Sequence, residues 1–114
     1  MSSAKRVYFD TIRSLASGSI SASYAAVGSP LAFKSRIICI TNLTQGIMIF
    51  STDSSNSDGQ IIVPAGSFKL LDLTANLVPG HDDNFCMAVG TQFYVKQVTA
   101  PTSGSVYIES VYAY

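Results

Sequence analysis

The only histidine of the chain, His81, stands beside Asp82 and Asp83, the first place where chemistry is conceivable. A histidine flanked by carboxylates can ligate a metal. Adjacent residues of one loop seldom converge on a single ion, however, and a solvated turn is the favoured reading. The stretch from Asp53 to Asp58 and Gly59 resembles a calcium loop only superficially, since the alternate ligand positions and the distal glutamate are missing. A polar hairpin tip is expected there instead. Cys39 and Cys86 both sit in apolar surroundings, which predicts two buried, reduced thiols, with a disulfide as the alternative. Arg36, three positions before Cys39, would fall on the opposite face of an alternating strand and would not activate it.

Nucleophilic and acid–base chemistry is no better supplied. Serine is abundant, but no Gly-x-Ser-x-Gly turn occurs and a lone histidine completes no triad. Glu109 is the single glutamate, so a carboxylate pair would have to draw on loop aspartates that no rigid element holds. No glycine-rich phosphate loop is present. These residues point to a non-enzyme without metal or cofactor. Asn42-Leu43-Thr44 matches the N-glycosylation pattern, but without a secretory signal it reads as a turn.

The elements that carry these residues read as strands. Residues 5–13 alternate, with Val7 and Phe9 opposed to Tyr8, Asp10 and Ile12. Residues 14–28 are rich in Ser, Ala and Gly and suit a loop with a loosely patterned strand. The unbroken run Ile37, Ile38, Cys39, Ile40 predicts a strand covered on both faces, and Gly46 predicts a hairpin to residues 47–50. Asp58-Gly59 and Pro64-Ala-Gly66 are turn signals bounding a short strand at 61–63. Strands follow at 68–73, 85–89, 92–98 and 106–112, with an exposed connection over 74–84. Eight or nine short strands at this spacing predict an all-β fold, an antiparallel β-sandwich that a jelly-roll connection would suit. No helix-period face is long enough for βαβ units.

Composition narrows the function class. The chain has 114 residues, 47% hydrophobic and only 12% charged, with seven basic residues cancelled by seven acidic ones. One domain spanning 1–114 is expected, with 1–23 as an extended N-terminal strand or arm. Basic residues form no run, which excludes a charge-driven nucleic-acid binder. Apolar runs fall far short of the ~20 residues that cross a bilayer, and no membrane partner is expected. Lys5 and Arg6 could open a signal peptide, but Asp10 and Arg13 interrupt the apolar stretch it needs. With a mean hydropathy of +0.31, the chain would expose more apolar area than a monomer tolerates, and a closed homo-oligomer is the simplest remedy.

Six tyrosines and six phenylalanines, with no tryptophan, make up the aromatic set. The last segment places Tyr112 and Tyr114 on the Ile108 face, with Tyr107 and Val111 on the other. Tyr8, Tyr107, Tyr112 and Tyr114 are the candidate oligomer contacts, against the plainer alternative that tyrosines line the core and lean their hydroxyls to its rim.

The segments Tyr24-Ala-Ala-Val-Gly28-Ser-Pro30-Leu31, Arg36-Ile-Ile-Cys-Ile-Thr-Asn42-Leu-Thr, Val63-Pro-Ala-Gly66-Ser, Gly90-Thr-Gln-Phe-Tyr-Val-Lys96 and Ala100-Pro-Thr-Ser-Gly104-Ser-Val-Tyr-Ile-Glu109 occur in this order. Together they resemble the small β-sandwich structural proteins of tailed bacteriophage particles, from about Tyr24 onward. The resemblance implies a virion component assembled in the host cytoplasm. It would form a homo-oligomer at the capsid surface, neck or tail, with other virion proteins as partners. A carbohydrate- or host-surface-binding module is the alternative from a different class.

Overall fold

A computed structural model describes residues 7–55, 59–73 and 87–113. Nine strands follow one another: β1 Val7–Phe9, β2 Arg13–Ala16, β3 Ala25–Ala26, β4 Ile37–Asn42, β5 Met48–Ser51, β6 Gln60–Val63, β7 Ser67–Asp72, β8 Tyr94–Gln97 and β9 Ser105–Ala113. A three-residue 3₁₀ turn, Ser17–Ser19, is the one helical element among the described residues. The first sheet runs β1-β9-β4-β7, with β2 also paired to β9, and the second runs β3-β8-β5-β6. Every pairing is antiparallel. The all-β sandwich expectation holds. Since β1 and β2 occupy successive stretches of β9, they act as one broken strand, and two four-stranded layers in this order make a jelly roll.

Alternation decides the core. In β4, Ile38, Ile40 and Asn42 are buried while Ile37, Cys39 and Thr41 face outward. Ile38, Ile40, Val106 and Ile108 of the first sheet belong to one buried cluster with Met48, Phe50, Val63 and Val95 of the second. Ile20, Val27, Leu31 and Phe93 complete it from the connections.

Three expectations about individual elements are corrected. Residues 5–13 do not form one strand. The break between β1 and β2 is a polar clamp in which Asp10 accepts the N–H of Thr11 at 2.7 Å and of Ala32 at 3.2 Å. Turning Asp10 and Arg13 inward ends the plain alternation there. The strands β4 and β5 do not form a hairpin, because they belong to different sheets. The Asn42 amide nitrogen donates to the carbonyls of Gly46, Val63 and Pro64 at 2.8, 3.0 and 3.2 Å. Its oxygen accepts the Thr44 N–H at 3.0 Å and the Thr44 hydroxyl at 2.7 Å. One buried amide thus pins two corners at once, the crossing from β4 to β5 and the crossing from β6 to β7. The third correction concerns cover: among the described residues β4 is packed on one face only, and Ile37, Cys39 and Thr41 on its other face are half-exposed.

Candidate functional site

The outer face of the first sheet is where this molecule departs most from an ordinary soluble surface. Strand register aligns Phe9, Val111, Ile37 and Asp72 in one row across the sheet. The next row holds Glu109, Cys39 and Leu70, and the third Tyr107, Thr41 and Phe68. Phe9 is 85% exposed, Phe68 62%, Ile12 59% and Leu70 58%. These four side chains alone leave roughly 500 Å² of apolar surface open, at the upper end of what a monomer presents as one patch. Phe9, Ile12, Ile37, Leu70 and Val111 wall a depression of about 490 Å³, which Glu109 also lines.

The outer face of the second sheet has another character. Its central row is Tyr24, Lys96, Ile49 and Ile62, with Lys96 Nζ 4.8 Å from the centre of the Tyr24 ring. The Gln60 amide donates to the Tyr24 hydroxyl at 2.8 Å, and Tyr94 lies beside Ala26. Ile62 is 52% exposed. Apolar and polar groups alternate here, around one cation.

The residues singled out in the sequence are distributed unevenly. Tyr107 lies on the outer face of the first sheet. Tyr112 turns inward, where its ring stacks on Phe33 with centroids 3.9 Å apart and on Tyr8 at 5.5 Å. Tyr8 and Tyr112 therefore hold one end of the sandwich together. Tyr114, His81, Asp82, Asp83, Asp58 and Cys86 lie outside the described residues. Asp53 sits at the tip of the β5–β6 hairpin and accepts the Ser55 N–H at 2.9 Å, a local turn. Cys39 is not in the core: the strand parity that buries Ile38 and Ile40 leaves its thiol half-buried on the outer face between Leu70 and Glu109. Asn42 is fully buried with its amide engaged, so the Asn-Leu-Thr pattern is a structural corner.

Phe9, Ile12, Phe68 and Leu70 were not among the expected contacts. The signal for them was present, because β4 is apolar on both parities and Phe68 and Leu70 oppose the inward Leu71. Among the described residues, no group of three or more His, Cys, Asp or Glu is placed to hold a metal ion. No helix among them is long and apolar enough to cross a membrane.

No family model and no curated protein matches the chain. Among solved structures, it is matched by a chain from Bacillus endospore appendages, described as forming a family of disulfide-linked pili. The sequence identity is 12%, the match covers 97% of this chain and 91% of that one, and the TM-score is 0.49. That match is to a pilus chain and not to a component of a phage particle. The expected identity as a phage structural protein is corrected accordingly. Its virion location and its virion partners are set aside with it.

Proposed function

We propose that this chain is a non-catalytic structural subunit that assembles with copies of itself through the outer face of its first sheet. The observation that carries this is the apolar face formed by Phe9, Ile12, Ile37, Phe68, Leu70 and Val111, over which no described residue packs. A chain with 12% charged residues and no net charge has little polar surface to keep such a face in water. A stable interface buries about 800 Å² per partner, and the roughly 500 Å² left open by Phe9, Ile12, Phe68 and Leu70 would supply the larger part of it. Tyr107, on the same face, is proposed as a contact.

Light scattering on the purified chain, with circular dichroism as a control of folding, tests the proposal. Defined oligomers or polymers are expected, and the double variant Phe68→Ser, Leu70→Ser should fall to monomer with its β signal intact. Both side chains point away from the core, so the fold does not depend on them. A wild-type chain that stays monomeric as its concentration is raised overturns the proposal.

A further inference from the structure

We infer that copies of this chain also join edge to edge, with β7 of one copy adding to β1 of the next as the continuing strand of the first sheet. This rests on the self-assembly reading above and adds a backbone contact to it. In the first sheet the order is β1-β9-β4-β7 and each pairing is antiparallel, so the two edge strands, β1 and β7, run in opposite directions. A second copy moved alongside in the same orientation therefore brings its β7 antiparallel to β1. Among the described residues, neither edge pairs with a further strand. Such edges are templates for strand addition.

Hydrogen-bond parity fits the same contact. Residues of an antiparallel strand alternate between bonding one neighbour and facing the other way. The Asp10 N–H donates to the Ser110 carbonyl at 3.0 Å, and the register carries this pattern to Tyr8 and Tyr112. Val7 and Phe9 therefore turn their N–H and C=O groups away from β9. The Leu73 N–H donates to the Arg36 carbonyl at 2.7 Å, and the register carries this pattern to Leu71 and Lys69. Phe68 and Leu70 therefore turn theirs away from β4. Setting Phe9 opposite Phe68 of the next copy puts Val7 opposite Leu70, and each pair exchanges N–H and C=O groups. Side-chain parity agrees, because Phe9 and Phe68 both stand largely exposed on the outer face and become a cross-strand aromatic pair. In this register β1 ends at Phe9 beside the start of β7 at Ser67, so the break at Asp10 faces the turn that precedes β7. Joining β7 to a second β7 through the same groups would centre the pair on Lys69 and set two ammonium groups opposite each other. Addition of unlike edges leaves one edge open at each end, giving a filament or, if the rotation closes, a ring.

Proline substitution at the two edges of the full chain tests this. Proline in place of Leu70 or Phe9 removes an outward N–H that the ladder inside the subunit does not use, whereas alanine keeps it. By light scattering, Leu70→Pro is expected to associate about tenfold or more weakly than Leu70→Ala, and Phe9→Pro likewise against Phe9→Ala. Circular dichroism checks that each variant is folded. Proline variants that assemble as well as their alanine counterparts overturn the edge contact and leave self-assembly standing. A loss confined to Leu70→Pro, or to Phe9→Pro, overturns it too, because like edges are then paired. Where a proline chain loses its β signal, a crosslink decides. Chains carrying Phe9→Cys or Phe68→Cys, each with Cys39→Ser and Cys86→Ser, are mixed and treated with a short bis-maleimide. Links between the two kinds of chain are expected, and links only within one kind, or none, overturn the contact. A monomeric wild type overturns both readings.

Discussion

Asp10 and Arg13 form an ion pair, Oδ2 to Nη1 at 3.4 Å, with both side chains about 96% or more removed from solvent. The guanidinium spends its remaining donors on carbonyls: Nε on Ser29 at 2.7 Å, Nη1 on Thr11 at 2.6 Å and Nη2 on Pro30 at 2.7 Å. The pair therefore fastens the break between β1 and β2 to the connection at 28–32. Gly28 takes a φ of +64°, and any Cβ there would meet Arg13 Cβ and Cγ at 2.8 Å. Arg13→Ala should cost about 3–5 kcal/mol, because it leaves the buried Asp10 carboxylate without its countercharge, held only by the N–H groups of Thr11 and Ala32. Urea unfolding of Arg13→Ala, Asp10→Asn and the double variant should show strong non-additivity.

Asn42 should be as intolerant. Replacing it with Ala removes the acceptor of the Thr44 N–H and the amide donor shared by three carbonyls, of which Gly46 keeps the Thr44 hydroxyl and Pro64 the Ser67 N–H, and a loss of about 2–3 kcal/mol is expected. Asn42→Asp should be at least as damaging, since a carboxylate offers those carbonyls no donor. Equilibrium denaturation followed by circular dichroism measures both.

Gly104 has a φ of +89°, and a side chain on it would run into the carbonyl of Leu43. Gly104→Ala should destabilise by about 2 kcal/mol or more, shown as a lower thermal midpoint.

Arg36 is the opposite case. Its Nε and Nη2 are buried without an acceptor, as is the Ser110 hydroxyl. Two buried donors without an acceptor are a liability that an apolar side chain of similar length removes. Arg36→Met should leave stability unchanged or raise it by about 1–2 kcal/mol, again read from urea unfolding.

Cys39 provides a reporter for the proposed interface. Its thiol lies between Leu70 and Glu109 on the open face, so an alkylating reagent should reach it in a folded, dispersed subunit. Assembly should slow that labelling at least several-fold. Timed alkylation of wild type against Phe68→Ser, Leu70→Ser, followed by mass spectrometry, checks it.

Individual strands were legible because a strand announces itself locally. The alternation in β9, the turn at Pro64-Ala-Gly66 and the polar turn at Asp53 are each carried by a few neighbouring residues. The break at Asp10 was hidden, since its reason is a carboxylate reaching the Ala32 N–H, 22 positions away. The false hairpin at Gly46 has the same origin. A glycine between two apolar runs looks alike whether the chain turns back or crosses to another sheet, and here Asn42 decides through carbonyls 21 and 22 positions on.

The amino-acid sequence by itself determined the class of this protein: short alternating strands, little charge, no catalytic constellation and more apolar surface than one small core needs. It also determined that β4 would be apolar on both parities. Only the tertiary structure decided which parity became the core and which was left outside. A strand's two faces are equivalent until a second sheet packs on one of them. The burial of Ile38 and Ile40 by Met48, Phe50 and Val95 therefore turned Ile37, Cys39, Leu70 and Phe68 into a surface.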